Sequence, residues 1–251
     1  MAVFITGASS GLGAALALLY AGQGHTLGLV ARRADRLHTL AAALPGKHHV
    51  YVLDVCDREA LHAAARDFIA QVDQVTVVIA CAGISAGTLT GELDDFGVFR
   101  SIFDTNVMAT VSTFEPFIAG MVTRHCGTLV GIASVAGVRG LPGAGAYSAS
   151  KAAVAIYCES LRLELKPHGV GVVTIAPGFV RTEMTAHNPY KMPFLMEAQD
   201  FADRAVQAIN KQRTYCVIPW QMGVVSRLMR LLPDWLYDRV AVNAPRKPRL
   251  K

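Results

Sequence analysis

Short apolar runs alternate with helical segments along this 251-residue chain, and this alternation constrains the fold more than any other feature. The runs are Ala2 to Thr6, His25 to Ala31, Tyr51 to Leu53, Val75 to Ala80, Thr128 to Ala133 and Val170 to Ala176. Continuous Val, Ile and Leu runs are typical of parallel strands that helices cover on both faces. The sequence therefore predicts an α/β fold, with one domain over residues 1–251 and a doubly wound parallel sheet between two helical layers.

Composition and charge limit the setting and the partners. Residues 1 to 31 contain no Lys, Arg, Asp or Glu, but glycines and serines interrupt this stretch, so we predict neither a signal peptide nor a membrane span. The five cysteines form no CxxC pair and no histidine cluster has ligand spacing, which favours a cytoplasmic location and no metal site. Four of the last six residues are basic. Without them the net charge is about +1, which argues against a nucleic-acid-binding face.

A glycine-rich turn, Thr6-Gly7-Ala8-Ser9-Ser10-Gly11-Leu12-Gly13, follows the first strand. Glycines let a backbone approach a pyrophosphate closely, and the free N–H groups at the start of the next helix attract its charge. Because such turns also arise for tight packing alone, the position at the first βα junction is what favours a dinucleotide site. The predicted cofactor contacts in this turn are Gly7, Ser9, Ser10, Gly11, Leu12 and Gly13.

The second strand is followed by Arg32 and Arg33, where a dinucleotide without a 2′-phosphate usually meets an acidic residue. Two guanidiniums suit a 2′-phosphate through bidentate, charge-assisted hydrogen bonds. The Ser9 hydroxyl could add another hydrogen bond to this phosphate or cap the following helix. This pattern predicts NADP(H) as the cofactor. The alternative is that both arginines only begin a solvated helix, in which case NAD(H) would be preferred.

Two further strand ends complete the predicted cofactor site. Asp54-Val55 follows the third strand, where the carboxylate could accept a hydrogen bond from the adenine amino group or cap the next helix. Ala82-Gly83 ends the fourth strand, and these small residues leave room for the adenosine half of a dinucleotide.

Tyr147 and Lys151 are four residues apart, which places them on one face of a helix that begins near Tyr147. A phenol has a pKa of about 10 and is a poor base at neutral pH, but an adjacent ammonium favours the phenolate. Such pairs are common on helix surfaces, so the spacing alone is a weak indication of acid–base chemistry.

The full set of motifs resembles the short-chain dehydrogenase/reductase superfamily. The resemblance covers residues 2 to about 182 and rests on motifs that occur in the order and approximate spacing of that family. They are the turn Thr6 to Gly13, Ala82-Gly83, Asn106, Ser134, Tyr147, Lys151 and Pro177-Gly178. The resemblance implies a Rossmann-like fold and an NADP(H)-dependent oxidoreductase that interconverts a ketone or aldehyde and an alcohol.

The resemblance also implies a role for each matching residue. Tyr147 would exchange a proton with the substrate oxygen, and Lys151 would lower the tyrosine pKa and hold the nicotinamide ribose. Ser134 would donate a hydrogen bond to the carbonyl, and Asn106 would open a helix around a water that relays protons from the lysine. The residues implied to border the nicotinamide are Pro177, Gly178, Val180 and Thr182.

The chain departs from the family pattern at Cys81, where an Asn commonly precedes Ala-Gly. A thiol cannot reproduce the hydrogen bonds of that Asn, which puts the local stability of the strand in doubt. We interpret Cys81 as a small buried hydrophobe rather than a reactive thiol.

The remaining segments concern the substrate. We predict a substrate lid over about 183–203, whose Met and Phe residues indicate either an apolar substrate or docking of the lid on its own protein. Arg139 lies between Ser134 and Tyr147; we expect it to face solvent, the alternative being an acidic group of the substrate.

The segment 215–251 forms an amphipathic and basic carboxyl-terminal extension. Its apolar stripe over Trp220 to Leu232 fits a helix packed on the lid or at a subunit contact, which we favour, or peripheral contact with a membrane. The resemblance implies a homodimer or homotetramer. Two alternatives to the predicted reductase stay open, an NAD-preferring alcohol dehydrogenase and a non-catalytic NADP-binding regulator.

Overall fold

The fold is an open, twisted parallel sheet with helices on both faces, seen in a computed structural model that describes residues 1–186, 188 and 190–249. The seven parallel strands lie in the order β3-β2-β1-β4-β5-β6-β7. Their bounds are β1 Ala2–Thr6, β2 Thr26–Ala31, β3 His49–Val52, β4 Val75–Ala80, β5 Thr128–Ile132, β6 Gly171–Pro177 and β7 Tyr215–Ile218. The doubly wound α/β fold predicted from the sequence is confirmed.

Helices connect the strands and cover both faces of the sheet. Their bounds are α1 Gly11–Gly22, α2 Ala34–Ala43, α3 Arg58–Gln71, α4 Asp95–Phe103, α5 Ala109–Arg124, α6 Gly145–Leu165, α7 Glu183–Ala186, α8 Ala198–Asn210, α9 Trp220–Leu231 and α10 Asp234–Ala241. Among the helices in the described ranges, none is long and apolar enough to cross a membrane.

Successive side chains of β1 point to opposite faces of the sheet and enter two separate cores. On one face, Ile5 packs in a cluster with Leu16 of α1 and Phe201 of α8. On the other, Phe4 packs with Phe68 of α3 and with residues of α5 and α6. Strands buried on both faces read as continuous apolar runs, which is why the sequence predicted them well.

The strand order reverses between β1 and β4, because β2 and β3 lie on one side of β1 and the remaining strands lie on the other. In such sheets the crevice beyond the carboxyl ends of the strands, at the reversal point, is where ligands bind. The glycine turn after β1 and the segment after β4 both lie at this crevice.

The carboxyl-terminal extension differs from our expectation in two ways. A seventh strand, β7, over Tyr215–Ile218, was not predicted. In addition, the apolar stripe of α9 is largely exposed: Met222 and Ser226 face inwards, whereas Trp220, Leu228 and Leu231 are 67%, 59% and 80% exposed. These three side chains are therefore not covered by the described part of the lid, and the subunit contact that we also favoured stays a prediction.

Arg139 corrects a second expectation, since its side chain is mostly buried rather than solvent-facing. Its guanidinium donates to the carbonyl oxygens of Leu232 at 3.0 Å and Met229 at 3.4 Å, near the carboxyl end of α9. It also pairs with Asp234 at 2.9 Å and stacks 4.1 Å from the ring centroid of Tyr237. Arg139 thus fastens the carboxyl-terminal helices beside the cleft.

Candidate active site

The glycine turn after β1 folds against the end of β4 with no room for side chains. Gly7 has a φ of +69°, and a Cβ built there would lie 2.8 Å from the Cα and N of Ala82. A Cβ on Gly13 would lie 2.3 Å from the carbonyl oxygen of Gly7. The turn therefore exposes backbone N–H groups at the start of α1, as a site for a pyrophosphate requires.

Arg33 lies directly over this turn. Its guanidinium donates to the Ser9 hydroxyl at 3.3 Å and to the Ser10 hydroxyl at 2.5 Å. It also pairs with Glu183 at 2.8 Å, and Arg36 pairs with the same carboxylate. A phosphate placed beside Ser9 and Arg33 would meet hydroxyl and guanidinium donors and would compete with Glu183 for them.

Arg32 lies on the other side of this site, beside Asp54. The two side chains approach to 3.4 Å and both are well exposed. Asp54 also accepts the N–H of Cys56 at 3.0 Å, whereas α3 is capped by Asp57, whose side chain accepts the N–H of Ala60. The alternative role of Asp54 as the cap of the following helix is therefore wrong, and its carboxylate faces the cleft.

The departure at Cys81 has a structural compensation. The hydroxyl of Thr6 accepts the N–H groups of Cys81 at 3.2 Å and Ala82 at 3.3 Å, and donates to the carbonyl of Ile79. Burial raises the pKa of the Cys81 thiol to about 12, which keeps it neutral. The end of β4 is therefore held without the family's Asn, and the thiol is a poor nucleophile.

Helix α6 carries Tyr147 and Lys151 into the cleft beside Ser134, which follows β5. The Lys151 ammonium donates to the carbonyl of Ile132 at 2.8 Å and lies 5.9 Å from the ring centroid of Tyr147. The Ser134 oxygen accepts the N–H of Ala136 at 3.1 Å, which leaves its own proton free to be donated. Three side chains from two elements thus converge at the carboxyl end of the central strands.

Burial dominates the titration of this group. It raises the pKa of the Tyr147 phenol, and the hydrogen bond with Ser134 opposes that rise only in part. Burial also lowers the pKa of Lys151 to about 8. The Lys151 ammonium donates to the Ile132 carbonyl, and the lowering of the tyrosine pKa by this ammonium stays a prediction.

Asn106 lies behind the cleft and is fully buried. It stands in a π-helical turn, Asp104–Met108, between α4 and α5. Its amide accepts the N–H of Ile84 at 2.8 Å and donates to the carbonyl of Ile84 and to the hydroxyl of Ser150 at 3.0 Å. The opened helix turn agrees with the geometry that the family resemblance implied, and a role in proton relay stays a prediction.

Comparison with known proteins decides the family. A family model described as short chain dehydrogenase matches residues 1–192. The chain belongs to the short chain dehydrogenase family. This dehydrogenase is therefore an oxidoreductase, and it is 39% identical over 240 residues to a Myxococcus xanthus protein named uncharacterized oxidoreductase, with 94% of each chain covered.

Two further relatives of the dehydrogenase carry more specific names. A sulfoacetaldehyde reductase of Chromohalobacter salexigens is 34% identical over 186 residues, which are 73% of this chain and 74% of the relative. The solved structure of a short-chain dehydrogenase from Sphingobium yanoikuyae in complex with NADPH superposes with a TM-score of 0.77 at 27% identity, covering 93% of this chain and 96% of that one.

The predicted site residues of the dehydrogenase line one cleft of about 430 Å³, with the exception of Asn106. They include the four residues that the resemblance implied to border the nicotinamide, namely Pro177, Gly178, Val180 and Thr182. Thr182 also lies against the glycine turn, since a Cβ on Gly11 would approach its methyl group to 3.3 Å. No cluster of residues suited to a metal ion occurs in the described part of the chain.

Sequence reasoning missed several residues of this cleft in the dehydrogenase. Glu183 and Thr185 line it from α7, beside Met184, which belongs to the predicted lid, and Ile84 and Thr105 line it as well. Thr185 is structural, because its hydroxyl donates to the carbonyl of Val180 at 2.7 Å and accepts the N–H of Thr182. Glu183 could not have been found from sequence spacing, since it lies 150 residues from its partner Arg33.

Proposed function

We propose that this dehydrogenase interconverts a ketone or aldehyde and an alcohol by hydride transfer with NADP(H). The observation that carries the proposal is the convergence of Ser134, Tyr147 and Lys151 at one end of the cleft whose other end is the glycine turn. A dinucleotide lying along this cleft would present its nicotinamide to the phenol. The Chromohalobacter relative is named as a reductase of an aldehyde, which supports the same class of reaction.

The protein side chains would handle the proton, while the cofactor, when bound, supplies or accepts the hydride. In the direction of reduction, a neutral phenol is the useful form, and the raised pKa of Tyr147 keeps it protonated at neutral pH. Tyr147 would donate this proton to the substrate oxygen, and the Ser134 hydroxyl would polarise the carbonyl. Lys151, with a pKa of about 8, would hold the ribose and help to replace the proton.

The choice of NADP(H) over NAD(H) rests on Arg33. Its contacts with the Ser9 and Ser10 hydroxyls place a cation beside the turn that would hold the pyrophosphate, where it could meet a 2′-phosphate on the adjoining adenosine ribose. Arg32 flanks the same position next to Asp54. The NADPH in the Sphingobium neighbour agrees with this choice.

The decisive experiment compares Tyr147→Phe with Tyr157→Phe, a matched control on the same helix whose ring stacks on Phe114 away from the cleft. NADPH oxidation is followed by absorbance with a panel of aliphatic, acyl and sterol ketones and aldehydes. We expect Tyr147→Phe to lose about 10²- to 10⁴-fold in turnover, as removal of a general acid does, while NADPH binding measured by nicotinamide fluorescence is kept. If Tyr147→Phe kept most of its turnover, the assigned role would be wrong.

We propose an apolar body for the substrate. Met184 lines the cleft. Met184 and Phe194 of the lid segment are 40% and 50% exposed, so the protein core does not bury them fully. Such side chains can adapt to apolar groups of varied shape.

We further propose that the protein is a cytoplasmic homo-oligomer. Large apolar side chains are exposed on the helices around Asn106 and after Tyr147, namely Phe96, Met108, Ile156 and Leu163. Light scattering after size exclusion tests this assembly. The exposed stripe of α9 supports either a further subunit contact or contact with a membrane surface, and co-sedimentation with anionic vesicles distinguishes the two.

A further inference from the structure

The last described residues lie against the segment that follows β4, beside the cleft. The N–H of Gly87 donates to the carbonyl of Pro248 at 2.9 Å, and Gly87 pairs with Arg249 in parallel. The approach is so close that a Cβ on Gly87 would lie 2.2 Å from the carbonyl oxygen of Lys247. The basic tail, which the sequence alone would leave in solvent, is therefore docked on the segment that follows β4.

Arg249 anchors this tail through a buried carboxylate. Its Nε donates to the two oxygens of Asp95 at 3.1 and 2.9 Å, and its Nη2 pairs with Glu92 at 3.2 Å. Asp95 is only 4% exposed and also accepts the N–H of Leu89. Charge-assisted hydrogen bonds to a buried carboxylate and to a second carboxylate stabilise the docked position of the tail.

Lys247 is thereby held beside the catalytic group. Its ammonium donates to the Ser85 hydroxyl at 2.9 Å and lies 3.5 Å from the carbonyl of Met184. It is also 5.9 Å from the ring centroid of Tyr147. The cation therefore lies between the segment after β4 and the lid, next to the phenol.

The charge of Lys247 is not neutralised by its surroundings. Among residues 1–186, 188 and 190–249, no carboxylate forms an ion pair with it, whereas Arg249, two residues further on, has two such partners. Burial lowers the pKa of the Lys247 ammonium, because the charged form loses hydration at this position. Its two neutral acceptors leave donor capacity on an ammonium that has three N–H groups.

We propose that Lys247 binds an anionic group of the carbonyl substrate, such as a carboxylate, and so determines specificity for acidic ketones or aldehydes. This inference rests on the proposed carbonyl chemistry of Tyr147. Since the ammonium is near the phenol, the anion lies a few bonds from the carbonyl that Tyr147 protonates. The substrate then combines an oxyanion at the tail with an apolar part against Met184.

The test uses 4-oxopentanoate and pentan-2-one, two ketones of equal chain length that differ in the carboxylate. Their binding to the complex of the protein with NADP⁺ is measured by ligand-observed NMR titration, so that no turnover is needed. We expect Lys247→Met to weaken binding of the oxo acid about 10-fold or more, the worth of one charge-assisted hydrogen bond. Pentan-2-one binding should not change. Lys247→Arg, which keeps the charge, should restore most of the affinity for the acid.

Arg246→Met is the matched control, because it removes one positive charge from the adjacent position of the tail. The inference is overturned if the wild type binds the acid no more tightly than the neutral ketone. It is also overturned if Lys247→Met weakens both ligands equally, as a mere clamp on the tail would, or if Arg246→Met has the same effect. If none of the tested ketones and aldehydes oxidised NADPH, the proposed function would be refuted. The binding titration would still decide whether Lys247 binds the carboxylate.

Discussion

Replacing Arg33 by alanine should weaken NADPH binding and leave NADH binding nearly unchanged. The Arg33 guanidinium is fixed over the glycine turn by Ser9 and Ser10, where only a 2′-phosphate would distinguish the two cofactors. A hydrogen bond to a charged group contributes about 1.5–3 kcal/mol. Because the Arg33 side chain is 41% exposed, screening by solvent favours the lower end of this range. A loss of about 1.5–2 kcal/mol corresponds to a roughly 10- to 30-fold weaker NADPH affinity.

The assay is nicotinamide fluorescence titration with NADPH and NADH at one fixed salt concentration. Arg32→Ala serves as the comparison, and we expect a smaller loss because Arg32 is turned towards Asp54. Glu183→Gln tests the opposite direction. Removing this carboxylate frees the guanidiniums of Arg33 and Arg36 for a phosphate, so NADPH affinity should rise while NADH affinity stays constant. Equal losses for NADPH and NADH in Arg33→Ala, or no loss for either, would refute the assignment of the phosphate site.

Two further predictions concern stability. Burial lowers the Lys151 pKa from 10.5 to about 8, so charging it destabilises the folded protein below pH 8 and this penalty disappears as the pH rises towards 10.5. Lys151→Met should therefore raise the free energy of unfolding at pH 7 by at most about 3 kcal/mol, and much less at pH 10. The gain is measured as a rise in Tm by thermal unfolding, and an equal rise at both pH values would contradict this reasoning. Gly13→Ala forces a Cβ onto the backbone of Gly7 and should cost about 1–3 kcal/mol by denaturant unfolding. Gly22→Ala, with nothing within 4 Å of the new methyl group, should be neutral or stabilising; similar losses in both would show that crowding is not the cause.

The strands and the order of the motifs could be predicted from the chain because they depend on local rules. A parallel strand covered on both faces needs a continuous apolar run, so Ala2–Thr6 and Val75–Ala80 were predicted to the residue. A helix that carries Tyr147 and Lys151 four residues apart must present both on one face. The strand Tyr215–Ile218 was missed, although β3 has the same length and was predicted.

Only the tertiary structure decided which residues far apart in the sequence contact each other. Glu183 reaches Arg33 across 150 residues, Arg139 binds Leu232 across 93, and Lys247 reaches Ser85 across 162. Charged side chains on a surface have no periodic signature, and their partners depend on how the elements pack. The sequence by itself determined the sheet, the glycine turn and the presence of the Ser134, Tyr147 and Lys151 group. Packing decided how the cations are placed. Arg139 and Arg249 pair with carboxylates, and Arg33 lies over the glycine turn, where it pairs with Glu183. Lys247 lies near Tyr147 without a carboxylate partner among the described residues.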